Sequence, residues 1–138
     1  QPIQIHYDDF AKKWRSSIEI WEAKAFKLRN SAIVAHHKSF SYLIAWLKLK
    51  EVATLEVKPG IPPTISHLES LLQELRKKPA KLIVRTPYDP DNASNWLAEK
   101  TGIKAMKLPY TVGGDDKSTD LFTLYDQTIN LITNSDDN

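Results

Sequence analysis

Apolar residues near the start of the chain recur at helical spacing. Phe10, Trp14, Ile18, Trp21, Ala25 and Leu28 follow steps of three and four, which predicts one amphipathic helix over 7–29. Asp8 and Asp9 stand at its start and Lys27 and Arg29 near its end, matching the helix dipole; Asn30 suits the position that closes it. With two tryptophans in the stripe, this helix needs a large apolar surface to pack on. The period then shortens. Ala32-Ile33-Val34-Ala35 is a short run of strand formers. Residues 39–49 return to helical spacing, with Ser39 as the expected N-cap. Residues 51–57 alternate and predict a second strand. After the turn at 58–63, Thr64 is placed to cap a helix carrying Ile65, Leu68, Leu71, Leu72 and Leu75 on one face. Residues 81–85 predict a third strand, 92–101 a helix closed by Gly102, and 103–108 a fourth strand. A last helix over 118–133 has Leu121, Leu124, Tyr125, Ile129 and Ile132 in its stripe. The polar tail from Asn134 to Asn138 is expected to fray.

Strands alternating with helices imply a parallel sheet with right-handed crossovers. The predicted fold class is therefore α/β: a four-stranded parallel sheet with flanking helices. A (βα)4 lobe over 31–138 is preceded by a long helix over 1–30. At 138 residues the chain suffices for one such domain and not for two. A net charge of +2 is too small for a nucleic-acid surface. No apolar run approaches the ~20 residues that span a bilayer. The first residues hold no basic-then-apolar export stretch. The absence of cysteine excludes disulfides, thiolate zinc sites and cysteine nucleophiles in this sequence.

Ligands of open parallel sheets bind beyond the carboxyl ends of the strands. Here those ends carry His36, His37 and Lys38; Glu56 and Lys58; Arg85, Thr86 and Tyr88; and Tyr110 and Thr111, with Asp115 and Asp116 further on. Successive strand residues point to opposite sides, so at most one of His36 and His37 faces a given ligand. Imidazole is a common ligand for zinc. His67 begins the third helix, whose N-terminus meets the same edge; a solvent-facing residue is the simpler expectation for it. Asp115 and Asp116 have the character of turn residues, and Asp120 can stabilise the start of the last helix. The glycines of Thr111-Val-Gly-Gly-Asp-Asp-Lys lack phosphate-loop spacing. No nucleophile elbow or HExxH pattern is present, and no carboxylate pair stands at a telling spacing. An enzyme is not expected.

Residues 33–47, Ile-Val-Ala-His-His-Lys-Ser-Phe-Ser-Tyr-Leu-Ile-Ala-Trp-Leu, resemble the signature opening the C-terminal lobe of the zinc/manganese ABC-transporter substrate-binding proteins. These are the cluster A-I metal receptors. The resemblance continues through Gly60-Ile-Pro-Pro-Thr, Ile83-Val-Arg-Thr-Pro-Tyr, Trp96-Leu-Ala-Glu-Lys-Thr-Gly-Ile, Leu108-Pro-Tyr-Thr-Val-Gly-Gly and Asp120-Leu-Phe. It implies two (βα)4 lobes joined by a long rigid helix. A metal ion sits in the cleft, held by histidines and a carboxylate from both lobes. The receptor works in the periplasm or another extracytoplasmic space and delivers its ion to a membrane permease. This chain then corresponds to the C-terminal lobe, without the N-terminal lobe and its ligands.

The spacing to Phe40 and Tyr42 sets the family histidine on His37 rather than His36. The family's second ligand from this lobe is an aspartate after the last strand, and Thr111 stands there. The resemblance leaves Asp115, Asp116 or Asp120 to serve if the loop folds back, with His67 in reserve. His36, Arg85, Tyr88, Tyr110 and Thr111 would line the edge. One histidine in the set favours zinc, with manganese as the alternative. A second reading is a lobe that kept the fold, lost the metal and binds proteins or an organic solute. Trp14, Trp21, Tyr88 and Tyr110 are also expected to leave an apolar patch through which isolated lobes self-associate.

Overall fold

The computed structural model describes residues 2–134. A long helix α1 (Pro2–Ala25) runs into one 3-10 turn, Phe26–Leu28. Strand and helix then alternate: β1 (Ala32–Ala35), α2 (Ser41–Trp46), β2 (Lys50–Thr54), α3 (Ile65–Lys77), β3 (Leu82–Arg85), α4 (Asn92–Thr101), β4 (Lys104–Lys107) and α5 (Leu121–Thr133). The sheet order is β2-β1-β3-β4, with every pairing parallel. This is the four-stranded α/β lobe expected from the alternation.

Strand alternation divides the core into two layers. Ile33 and Ala35 of β1, with Leu82 and Val84 of β3, face a cluster holding Trp21, Leu28, Phe40, Ile129 and Ile132. Val34 and Ile83 face Leu71, Leu72, Leu75 and Leu97 on the other side. So α3 and α4 cover one face, and α1, α2 and α5 the other. The central strands are apolar on both faces for this reason.

Several boundaries move for local reasons. α1 begins at Pro2, ahead of the acidic pair that marked its expected start; proline at the first helical turn lacks only a donor that has no intrahelical partner. Asn30 takes a left-handed φ of 66° and Lys48 one of 56°, ending the first and second helical segments. Ser39 is not the cap of α2. Phe40 holds that position without a side-chain bond, while the Ser39 backbone N–H donates to His37 O at 2.7 Å. Thr64 does cap α3, accepting from His67 N–H. Gly102, at φ 76°, closes α4. α5 begins only at Leu121, because Asp120 and Thr123 form a reciprocal capping box. Of the expected frayed tail, Asn134 is the C-cap of α5, and 135–138 lie outside the described residues.

The tryptophans of α1 correct the expected apolar patch. Trp21 is 1% exposed, and Trp14 is half-buried against Phe122 and Tyr125 of α5. The large apolar side chains that α1 does expose are Ile3, Ile5, Tyr7, Phe10 and Ile20. Tyr88 and Tyr110 are exposed at the sheet edge, as expected. No helix among the described residues is long and apolar enough to cross a membrane.

Candidate metal site

The carboxyl edge of the sheet gathers the polar strand ends into two groups. The first lies between β1 and β2. Their register pairs Ala35 with Thr54 after a bulge that leaves Val52 unmatched. Parallel pairing then runs past the strands: Leu55 N–H donates to Ala35 O at 2.9 Å, and Glu56 N–H to His36 O at 3.1 Å. Leu55 packs into the α3/α4 layer, so Glu56 turns to the opposite face, the one His37 takes. Glu56 Oε2 stands 2.5 Å from His37 Nδ1, and Oε1 lies 3.8 Å from His36 Nε2. His36 is 2% exposed and the His37 side chain 36%. The two histidines do diverge. His37 opens to solvent, while His36 lies under the chain with Nδ1 unpartnered.

A carboxylate 2.5 Å from Nδ1 makes that nitrogen the donor of the neutral ring. In that tautomer His37 Nε2 is the lone-pair nitrogen, on a side chain open to solvent at the carboxyl edge of the sheet. Nearby, burial pushes the Glu51 carboxyl up, against the pull of the Lys38 ammonium.

The second group lies between β3 and β4. Arg85 Nη1 donates to the Thr86 and Asp89 carbonyls, each at 3.3 Å, and so ties its own loop. Tyr88 Oη and Thr111 Oγ1 are 3.2 Å apart, linking the two loops. Tyr110 packs edge-on against Phe40, with ring centroids 5.7 Å apart, in a left-handed conformation at φ 62°.

Two of the three candidate aspartates, Asp115 and Asp120, are occupied elsewhere. Asp115 Oδ1 accepts from the Lys117 and Ser118 N–H groups at 3.1 and 2.8 Å. Desolvation opposes its ionisation, but hydrogen bonds from Ser118, Gln127 and Lys117 outweigh it and hold the carboxyl below its ordinary range. Asp116 is exposed in the same loop. Asp120 Oδ1 accepts from Thr123 N–H at 2.8 Å. The loop N–H groups are also spent internally, Gly113 on Ser118 O and Gly114 on Thr111 O, so they form no anion cradle. His67 is half-buried rather than solvent-facing, with Nε2 2.8 Å from Thr54 O. Among the described residues, no three His, Asp or Glu side chains are placed to hold a metal ion together. The lobe therefore brings His37 and Glu56 together and leaves Asp115, Asp116 and Asp120 outside that pair. Sequence reasoning placed Glu56 on this edge but did not select it; the signal was its position at the end of a strand that turns out to neighbour β1.

Asp120 also fixes a pH dependence. The Thr123 backbone N–H, then its hydroxyl, holds the Asp120 carboxyl below the ordinary 3.8. A depressed folded-state value contributes stability that is complete above the unfolded value and lost as pH falls through the folded one. Asp120→Asn keeps the cap and removes the charge. Urea unfolding of this variant is expected to show less loss of stability below that range than the wild type.

Ligands of an open parallel α/β sheet bind beyond the carboxyl ends of its strands, and that is the edge where the His37 imidazole is open to solvent. The chain belongs to the family of zinc-uptake complex component A, periplasmic (ZnuA), whose model matches residues 3–135. A comparison with curated protein sequences gives no significant match. Among solved structures, the chain is similar to a ZnuA crystal structure at a TM-score of 0.78 and 14% identity, over 95% of this chain and 48% of that one. It also resembles a mutant of the laminin-binding adhesin Lmb of Streptococcus agalactiae (TM-score 0.67, 20% identity, 92% of this chain and 48% of that one). A third is the substrate-binding protein FpvC of Pseudomonas aeruginosa, in complex with Mn2+ (TM-score 0.63, 20% identity, 91% and 48%). At these identities the likeness shows the fold. The chain spans about half the length of the structures it matches.

Proposed function

We propose that this chain is the C-terminal lobe of an extracytoplasmic metal receptor. It supplies His37 Nε2 to an ion held in the cleft against an N-terminal lobe. The observation that carries the reading is the His37 ring: it opens at the carboxyl edge while its other nitrogen is committed to Glu56. Capture needs no bond to be made or broken. It needs a rigid donor, and the paired strand ends provide one. The ion is zinc, because a nitrogen donor suits it better than manganese, which prefers oxygen. Release goes to an ABC permease in the membrane, and Thr111, Tyr88 and Tyr110 line the edge beside the ion.

Titration of the metal-stripped chain with zinc, followed by calorimetry and by histidine NMR, tests this. Heat and zinc-dependent shifts centred on His37 are expected, with loss of both in His37→Ala. Shifts that persist in that variant overturn the assignment. A parallel titration with Mn2+ is expected to give weaker binding, and the reverse order overturns zinc as the ion.

One observation favours the second reading, an organic-solute module. A groove of about 670 Å³ between α3 and α4 is lined by Pro62, Pro63, Leu68, Pro90 and Trp96, with the buried His36 beneath. Absence of zinc binding by this lobe, both alone and joined to its N-terminal lobe, overturns the metal reading in favour of this one.

A further inference from the structure

We infer that Glu56 is a positioning residue: its carboxylate accepts from His37 Nδ1–H and so fixes the tautomer and ring orientation that leave Nε2 as the outward donor. What Nε2 then binds rests on the receptor reading. The tautomer rests on this chain's own geometry.

Three observations carry the inference. The first is separation. Two ligands of one tetrahedral ion, each at about 2.0–2.2 Å, stand roughly 3.3–3.6 Å apart. Glu56 Oε2 and His37 Nδ1 are 2.5 Å apart, a hydrogen-bond distance with no room for a shared ion. The carboxylate therefore serves the ring rather than competing with it. The second is fixation. Glu56 is held at its backbone from both sides, its N–H donating to His36 O and its carbonyl accepting from Thr54 Oγ1 at 2.7 Å. A carboxylate on so constrained a strand end can aim a ring. The third is shielding. The Glu56 side chain is 13% exposed, with the buried His36 behind Oε1. A charge-assisted bond keeps more of its strength there than on an open surface. His36 thus forms the back wall of the carboxylate, a role that needs no metal contact from it.

An imidazole that donates from one nitrogen to a carboxylate is a better electron donor at the other, and losing such a partner costs about 10–100-fold in metal affinity. The test uses the chain itself, labelled with 15N at histidine. Long-range 1H–15N spectra of the metal-free protein report the His37 tautomer directly. The wild type is expected to carry its proton on Nδ1. Glu56→Ala is expected to shift the ring toward the Nε2–H form and to raise the zinc dissociation constant about 10–100-fold. Glu56→Gln, which keeps a carbonyl acceptor, is expected to recover part of both. Should Glu56→Ala fail to fold, Glu56→Gln carries the same two measurements, with smaller changes in the same directions.

A wild-type ring protonated on Nε2 overturns the positioning role whether or not zinc binds. So does a tautomer unchanged in both Glu56 variants. Zinc binding unaffected by Glu56→Ala overturns it as well. Undiminished zinc binding by His37→Ala instead overturns the receptor reading, while the metal-free tautomer still decides for or against Glu56.

Discussion

Trp21→Ala is expected to destabilise the lobe by about 3–5 kcal/mol, a large part of the stability of a domain this size. Trp21 is 1% exposed at the centre of an aromatic cluster that joins three helices. Its ring centroid lies 5.4 Å from Trp14 of α1, 5.3 Å from Tyr125 of α5 and 6.2 Å from Trp46 of α2. Nε1–H donates to Asp126 Oδ1 on α5. Truncation removes the largest fully buried side chain of this layer and leaves a cavity that the three helices, packed in one cluster with the sheet, cannot collapse together. Trp21→Phe separates the contributions. It keeps most of the packing and loses the hydrogen bond, and is expected to cost clearly less. Urea unfolding followed by circular dichroism checks both. A loss under about 1 kcal/mol for Trp21→Ala would mean that α1 is not anchored through this residue.

The α1 stripe was legible because a helix buries side chains at a fixed period, and two tryptophans at that period demand a large partner. Which partner was not legible. The stripe says nothing of α5, more than ninety residues on, whose Tyr125 and Phe122 complete the cluster. The candidate site divides in the same way. His37 was readable from its place after an apolar strand and from the spacing to Phe40 and Tyr42. Glu56 was readable only as a polar strand end. Its meeting with His37 depends on β2 lying beside β1 and on the bulge at Val52 that sets the register. Neither leaves a mark in hydropathy, because strand order is decided by how crossovers pack and not by any one segment. Asp115 and Asp120 show the converse. Aspartate suits a turn, a helix cap and a metal ligand alike, and only backbone N–H groups within hydrogen-bond reach reveal that these two serve the chain itself.

The loop carrying those aspartates gives the second large effect: Gly114→Ala is expected to cost about 3 kcal/mol, the upper end of what overpacking usually exacts. A Cβ on Gly114 would stand 1.7 Å from Pro109 O, 2.7 Å from Pro109 C and 2.9 Å from Thr111 O. All three are backbone atoms, so no rotamer change can yield the space. The loop must open, and the Gly114 N–H bond to Thr111 O at 2.8 Å opens with it. Gly113 differs: nothing lies within 4 Å of a Cβ there, and its constraint is the left-handed φ of 84° alone. Gly113→Ala is therefore expected to cost less than Gly114→Ala. The consequence reaches the edge of the sheet, because Thr111 and Tyr110 lie inside the segment that must move. Loss of the Tyr88–Thr111 contact and of the Tyr110–Phe40 packing is expected in the Gly114 variant, while His37 and Glu56, held by β1 and β2, keep their geometry. Urea unfolding gives the energy, and histidine and tyrosine NMR give the location. A Gly114→Ala protein with wild-type stability and unshifted Tyr110 resonances would show that the turn relaxes without disturbing the edge. Zinc shifts at His37 retained alongside a displaced Tyr110 would show that the first group of strand ends carries the ion without the second.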